Sequence, residues 1–353
     1  MKFGSNHYVP VLKVKANEKA ALLALGSTHA GQFTPLLEVV KRTGLASMSK
    51  HLDTAFKNLA TAVAKCPRCF LDARELAPEG DAGAKAVFSC ATAEGIAFTP
   101  VVGLTRKVGN APAFAHAGDG VALRLTRSEL EKGVIAGSLG PFMTTHKLDP
   151  AAVDLIIDMG EVESLIPVGV GALAAAFLAA IPHHGAWRTF TLSGCAFPRT
   201  LGGVDRLSAA LAQRSEWIAW RDYLYSKRAA LPRLPTFSDC GIQHPSGVEG
   251  FDPTKMTASA AARYSVADSW LLVKGESTKK VSPTIQFPKI AKRIVANTHG
   301  PHFCGAGHCD GCDQIIASAG GAPKLGSLGV WRRIGTIHHV AIVRRDLASL
   351  RWP

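Results

Sequence analysis

Short apolar runs recur along the chain and alternate with longer segments whose apolar residues follow a helical period. Runs that are apolar at successive positions are typical of parallel strands covered by helices on both faces. Segments such as NEKAALLAL, AGAKAVFSCATAEG and SELEKGVIAG separate the runs and predict helices. The strand-like runs occupy residues 8–15, 33–40, 69–75, 98–105, 120–127, 153–160, 187–194 and 235–242.

The alternation predicts an α/β fold, and the count of eight favours a (β/α)8, TIM-like barrel. An open doubly wound sheet is the alternative. It is less favoured because no GxGxxG turn follows the first run. Residues 206–224 are expected to form one long helix after the seventh strand.

More than a hundred residues follow the eighth run, and they are too apolar to be a linker. We expect residues 1–250 to form the barrel and residues 251–353 to form a C-terminal α/β extension, or cap, packed on it. This extension contains the segment RYSVADSWLLVKG (263–275), a Cys/His segment, and VWRRIGTIHHVAIVRR (330–345). We interpret the last of these as a strand around the two histidines.

Composition adds a basic character to this picture. The net charge is +13, and 47% of the residues are hydrophobic. Such a balance indicates an anionic partner such as nucleic acid, although a generally basic proteome would give the same charge. The longest apolar stretch, residues 166–181, is too short to span a membrane and predicts a buried helix. The opening residues do not resemble a signal peptide, so we expect a cytoplasmic protein without membrane contact.

Motifs near both ends carry a family resemblance. The start, YVPVLKVKANEKAALLAL followed by TPLLEVV, resembles the phage-type beta protein family of phages and bacteria. The later motifs RYSVADSWLLVKG, FCGxxxCxxCD and WRRIGTIHHVAIV resemble the same family. The resemblance implies a phage or bacterial cytosolic protein, with a phage or host protein as a partner in conflict between the two. It implies no particular activity.

Charged residues lie at the predicted carboxyl ends of the strands, where barrel proteins build their sites. Four carboxylates could hold a divalent ion, and neighbouring cations could neutralise phosphate oxygens. A salt-bridge layer that closes the barrel is the structural alternative. The candidates are Glu38, Asp72, Asp158 and Asp239 for catalysis, and Lys13, Arg74 and Arg124 for substrate binding.

The segment HFCGAGHCDGCD (302–313) holds a CxxC spacing that suits zinc or another divalent ion. We expect Cys304, His308, Cys309 and Cys312 to be the ligands, with His302 near enough to take part. A redox dithiol and cysteines without a ligand remain alternatives. A second CxxC, Cys66 and Cys69, should lie at the opposite end of the barrel.

Further candidates lie in the extension. One of His338 and His339 could act as a base or hold phosphate, with Arg332 and Arg333 as phosphate clamps. Trp270, Tyr264 and Lys274 could bind a base and its phosphate, or anchor the extension by packing.

The motifs GK[ST], GxSxG and HExxH are missing from the chain, which excludes several large enzyme classes. We therefore expect binding of a phosphorylated ligand, nucleotide or nucleic acid at the barrel mouth, or its metal-dependent hydrolysis or modification. A phosphodiesterase is the enzyme class that would fit. The alternative is a non-catalytic binding protein in phage defence or counter-defence.

Overall fold

A computed structural model describes residues 3–4, 6–28, 31–42, 44, 46–247 and 258–350 of the chain. Most of its helices and strands alternate, as the apolar pattern predicts. In chain order the elements are β1 (Tyr8–Lys13), α1 (Ala16–Thr28), β2 (Leu36–Glu38), α2 (Met48–Phe56), α3 (Leu59–Val63), β3 (Cys69–Asp72), α4 (Gly80–Ala93), β4 (Phe98–Gly103), α5 (Asn110–Ala115), β5 (Val121–Thr126), α6 (Arg127–Glu131), α7 (Val134–Thr145), β6 (Val153–Glu161), α8 (Pro167–Ala180), β7 (Thr189–Cys195), β8 (Ala209–Gln213), α9 (Ser215–Ala219), β9 (Thr236–Asp239), β10 (Ser259–Val266), β11 (Ser269–Ser277), α10 (Pro283–Val295), α11 (Asp310–Ala319) and α12 (Leu328–Ser349).

Short helices of other types join these elements. A π-helix spans Trp220–Leu224, and 3-10 helices span Arg74–Glu79, Pro150–Ala152, Tyr225–Ala230 and Pro323–Leu325.

Eight parallel strands close into a barrel in the order β1-β2-β3-β4-β5-β6-β7-β9. Each barrel strand coincides with one of the eight apolar runs, with β6 and β7 ending one residue beyond theirs, so the prediction of a (β/α)8 barrel is confirmed. The register pairs Glu38 with both Lys13 and Asp72 across β1, β2 and β3. The carboxyl ends of neighbouring strands therefore bring charged residues side by side.

The barrel interior is filled in three layers. The middle layer is a small apolar cluster, separate from the main core, made of Val9, Val11, Leu36, Phe70, Val101, Ala122 and Ile156. Below it, at the amino ends of the strands, the buried carboxylate of Asp154 is paired with Arg68 and Arg188 at 2.8 and 2.7 Å. Above it lies the charged layer described below. The barrel is a packed core and not a pore.

The extension has its own sheet and its own apolar core. Its strands run in the order β10-β11-β8 and are antiparallel, and α10, α11 and α12 pack around them. The strand β8 precedes β9 in the chain, so this sheet takes one strand from within residues 1–250. The predicted boundary at residue 250 lies outside the described residues.

Two local predictions were wrong. Residues 209–213 form β8 and not part of a long helix, because they pair with β11 from Ala209↔Val273 to Gln213↔Ser269. The segment around His338 and His339 is not a strand; both residues lie in α12, which packs against β10 and α1. In each case tertiary packing decides the local structure.

The apolar stretch of residues 166–181 forms a helix, as predicted, which is α8. In the part of the chain that the structure describes, no helix has the length and apolar character needed to cross a membrane.

Candidate ligand-binding site at the barrel mouth

Charged side chains meet at the carboxyl ends of the barrel strands, which we call the barrel mouth. Arg124 on β5 lies at the centre, and its side chain is only 2% exposed, so its charge needs partners within the protein. Its Nη1 donates to Glu38 Oε1 at 2.7 Å and to Asp72 Oδ2 at 3.0 Å. Its Nε and Nη2 contact Asp158 Oδ2 at 2.9 and 2.7 Å. One guanidinium thus bridges carboxylates from β2, β3 and β6.

Three more cations form the rim of the mouth. Arg74 Nη2 lies 2.6 Å from Glu38 Oε1, and Arg106 Nη1 lies 2.9 Å from Asp72 Oδ1. Lys13 Nζ lies 2.6 Å from Glu38 Oε2 and also contacts the Glu75 carboxylate. The side chain of Arg74 is 28% exposed, more than those of Lys13 and Arg106, so it is the cation most open to a ligand.

The three central carboxylates are held in their charged form. Burial alone would raise the pKa of Glu38, but Arg74, Arg124 and Lys13 lower it well below its usual range. The pKa of Asp72 is also lowered, because Arg106 and Arg124 outweigh the effect of burial. The same holds for the pKa of Asp158, where Arg124 and Arg74 are the main causes. Such carboxylates are weak bases and do not supply protons at neutral pH.

Two narrow clefts open beside this charged layer. The first, about 310 Å³ with its open end included, is lined by Lys13, Glu38, Gln243, His244 and Thr336, among others. The second, about 220 Å³, is bordered by Arg74, Arg106 and backbone around Gly80 and Gly109. A small ligand in either cleft would contact rim cations. The helix α12 reaches the first cleft through Thr336.

Asp239 does not join the mouth, although its position at the end of β9 predicted it there. Neighbouring residues of a strand face opposite sides, and Asp239 faces outward, toward α12. It accepts hydrogen bonds from the Tyr8 hydroxyl and from the backbone N–H of Gly241. His339 Nε2 lies 3.0 Å from Asp239 Oδ2, and His339 Nδ1 lies 2.7 Å from Ser265 Oγ.

This outward cluster has the residue types of a Ser-His-Asp triad. However, Ser265, His339 and Asp239 are all at most 1% exposed, so no substrate reaches the hydroxyl. Burial lowers the pKa of His339. Burial would raise the pKa of Asp239, but His339, followed by Arg214 and the Tyr8 hydroxyl, outweighs it and lowers that pKa to about 2. The cluster ties α12 to β9 and β10.

Glu216 lies beside the same cluster without a hydrogen-bond partner for either carboxylate oxygen. Burial, followed by the charge of Asp239, raises the pKa of Glu216 to about 8. Glu216 therefore carries a proton over most of the neutral range. The neighbouring guanidinium of Arg214 donates to Ala267 O at 2.9 Å and lies 3.9 Å from Asp239.

The extension residues predicted to bind substrate have structural partners instead. Trp270 is 1% exposed and packs against Phe197 and His339, so neither ring face is open to a base. Lys274 Nζ donates to the carbonyls of Leu201 and Val204 at 2.9 and 2.7 Å.

Of the two predicted phosphate clamps, Arg333 donates to Gln314 Oε1 at 2.7 Å. Arg332 lies near Arg263, whose pKa is lowered to about 10 by burial and by that neighbouring charge. Arg332 lies one turn before Thr336 on α12 and so remains a candidate near the first cleft.

The Cys/His segment does bring its predicted ligands together. Cys304 and His308 lie within 4.8 Å of His338, and so do Cys309 and Cys312, measured between ligand atoms. In the described part of the chain these are the two groups of three potential metal ligands, and neither includes His302 or a mouth carboxylate. Cys66 and Cys69 lie in the main core, where burial raises the pKa of Cys66 to about 11.

Sequence reasoning missed several residues. Arg106 and Glu75 lie just after β4 and β3. Their position at the carboxyl ends of strands, which identified Arg74 as a candidate, was the signal that could have identified them too. His338 was predicted to act as a base or to hold phosphate and was not grouped with the Cys/His segment. Its contact with that cluster depends on the helical geometry of α12, for which the two-histidine motif gave no signal.

The fold and the mouth define the class of protein: a closed (β/α)8 barrel with a layer of charged side chains at the carboxyl ends of its strands and an α/β extension. The family model described as "Beta protein" matches residues 8–345. Because the match covers nearly the whole chain, the protein belongs to this family, as the motifs at both ends predicted. No curated protein matches the chain.

Two solved structures show distant similarity. Triosephosphate isomerase from Bartonella henselae is 11% identical, with 65% of this chain and 91% of that chain covered and a TM-score of 0.28. The YdjI aldolase from Escherichia coli K12 is 9% identical, with 98% and 92% covered and a TM-score of 0.29. At these scores the assignment of the barrel rests on its own strand pairing.

Replacing Arg124 with Met should destabilise the protein mainly at neutral pH. The lowered pKa values of Glu38, Asp72 and Asp158 mean that their ion pairs stabilise the fold above about pH 4, the unfolded value, and that this contribution is lost as pH falls. Breaking such a buried network costs about 3–5 kcal/mol. Denaturant unfolding should show this loss at pH 7 and a smaller loss near pH 4, because without Arg124 the buried carboxylates of the variant take up protons at a higher pH than those of the wild type.

Arg127→Met is the matched control. Arg127 forms an exposed i,i+4 pair with Glu131, for which a loss below about 1 kcal/mol is expected. An Arg124→Met loss of equal size at both pH values would show that lost packing, and not charge, determines the effect.

Replacing Glu216 with Gln should flatten the alkaline side of the stability profile. The folded pKa of about 8 lies above the unfolded value, so the contribution of Glu216 is fully present below pH 4.5 and is lost as pH rises through 8. Thermal unfolding should show the wild-type midpoint falling between pH 5.5 and 8.5 more steeply than that of Glu216→Gln. Parallel profiles would contradict a protonated Glu216. Glu94 is exposed, and Glu94→Gln is the control substitution.

Proposed function

We propose that the barrel mouth binds a phosphorylated small molecule, such as a nucleotide, through Arg74, Arg106 and Lys13. The observation that carries this proposal is the convergence of these three cations at one rim, beside two clefts that each contact at least one of them. Arginine guanidinium groups match the geometry of phosphate oxygens. The clefts are too narrow for an extended nucleic acid, so the ligand would meet the rim cations at their openings.

Glu75 supports the presence of an anion at this rim. Its carboxylate contacts Lys13 Nζ and accepts a hydrogen bond from the backbone N–H of Lys41 at 3.0 Å. The Glu75 side chain is 25% exposed, so it can swing away at modest cost. A phosphate oxygen could take the same two donors. We infer that Glu75 occupies the place of the ligand's anionic group until the ligand binds.

Binding is better supported than metal-dependent hydrolysis. Both oxygens of Glu38 and Asp72, and Oδ2 of Asp158, are engaged by arginine or lysine at 2.6–3.3 Å, and Asp158 Oδ1 accepts from the backbone N–H of Gly160 at 2.9 Å. A metal ion would have to displace these cations. The proposed role in conflict between phage and host rests on the family resemblance alone.

Two substitutions with opposite effects test the site. Arg74→Gln removes a rim cation, and Glu75→Gln removes the competing carboxylate. With ATP and pyrophosphate as probes in isothermal titration calorimetry, Arg74→Gln should weaken binding roughly 10- to 100-fold, the effect of a lost charged hydrogen bond. Glu75→Gln should tighten it. Arg293→Gln removes the same charge from α10 and should leave affinity unchanged.

The same proteins distinguish the remaining possibilities. The mouth would be rejected as the site if the two substitutions did not change affinity in opposite directions. It would also be rejected if the probes bound the wild type no more tightly than Arg74→Gln. If a labelled single-stranded oligonucleotide binds, and Arg74→Gln does not weaken this binding, nucleic acid binds at a site other than the mouth. Release of phosphate from ATP that requires Mg²⁺ and is lost in Asp158→Asn would instead establish hydrolysis at the mouth.

A further inference from the structure

We propose that the extension holds one structural zinc ion, with Cys304, Cys309, Cys312 and His338 as its four ligands. The site is independent of the barrel mouth and of the ligand proposed there. Its donors come from the loop before α11, the first turn of α11 and the middle of α12. Thiolate and imidazole in tetrahedral arrangement are the ligands that structural zinc prefers.

The hydrogen bonds of His338 fix the nitrogen that faces the cysteines. His338 Nε2 lies 2.8 Å from the carbonyl oxygen of Ser265, and a carbonyl can only accept. The proton of a neutral imidazole is therefore on Nε2, which leaves a lone pair on Nδ1. Metal-binding histidines characteristically donate their other ring N–H in this way. His338 is fully buried, so its Nδ1 has no access to water as an alternative partner.

The distances fit zinc coordination. His338 Nδ1 lies 3.5 Å from Cys309 Sγ and 3.4 Å from Cys312 Sγ. Tetrahedral zinc with standard Zn–S and Zn–N bonds places a sulfur and a nitrogen ligand about 3.6 Å apart. An ion can therefore be placed between these atoms with little movement. Cys304 is the third thiol in reach, since its Sγ lies within 4.8 Å of the ligand atom of His338.

The surrounding residues hold the donors in place. A Cβ atom at Gly311, inside the CxxC, would lie 2.8 Å from Ile334 O, so glycine permits the start of α11 to lie directly against α12. Tyr264 stacks on His338 with ring centroids 3.9 Å apart, and its hydroxyl accepts from the backbone N–H of Cys304 at 2.9 Å. The N–H of Cys312 donates to Cys309 Sγ at 3.4 Å.

His308 lies outside the proposed ligand set. It shares a group of potential ligands with Cys304 and His338, and its ring centroid is 5.6 Å from that of His338, so His308 is the side chain that would compete with Cys304 for the fourth position. Three thiolates and one buried imidazole leave no open position on the ion, which is the arrangement of a structural and not a catalytic site. The ion would fasten α11 and its preceding loop to α12.

Metal analysis of the full-length chain tests the site. After expression with zinc and gel filtration, mass spectrometry of the metal content should give about one zinc ion per chain. Cys309→Ser, Cys304→Ser and His338→Asn should each lose it. His308→Asn and Cys90→Ser, the matched imidazole and thiol controls, should retain it.

A measurement on the wild-type chain keeps the test valid if these variants do not fold. After removal of metal by a chelator, cobalt titration should produce the thiolate-to-cobalt absorption bands of a tetrahedral site, and zinc should abolish them and raise the melting temperature. Absence of bound zinc together with absence of thiolate–cobalt bands would overturn the proposal, as would a Cys309–Cys312 disulfide in the protein purified without oxidant. Zinc lost in His308→Asn but kept in Cys304→Ser would overturn the assignment of the fourth ligand.

Discussion

The buried guanidinium of Arg124 is the interaction on which the mouth of the barrel depends. Three carboxylates from different strands point into the same small space, and without a cation they would repel one another in a region that water does not reach. Each buried charge costs several kcal/mol unless it is paired and hydrogen-bonded. Arg124 meets this requirement for Glu38, Asp72 and Asp158 simultaneously. Arg74 and Arg106 lie at the rim, where they pair with the same carboxylates and keep part of their side chains exposed.

The helix α12 joins the two halves of the molecule through two adjacent residues. His338 faces the cysteines of the extension, and His339 faces Asp239 on the outer side of the barrel. Ser265 links the pair, because its carbonyl contacts one imidazole and its hydroxyl the other. The two histidines thus serve different clusters, which adjacent positions allow in a helix because they differ by about 100° around its axis.

Much of the fold was predictable, because parallel strands covered on both faces leave a strong apolar signal. The eight barrel strands and the convergence of six of the seven charged strand-end residues follow from it. Asp239 was misplaced because the residues at the end of β9 give no signal of which face each one takes. The strand β8 and the helix α12 were misassigned because pairing with β11 and packing against β10 decide their structure. No local pattern records such contacts between residues far apart in the chain.

The strand β8 has a consequence for how the barrel and the extension depend on each other. Because it lies between two barrel strands in the chain and completes the sheet of the extension, the two halves are interwoven and do not simply follow one another. A chain truncated after the last barrel strand would carry β8 without its partner β11, and the unpaired edge would be prone to association. The extension is therefore not a separable module.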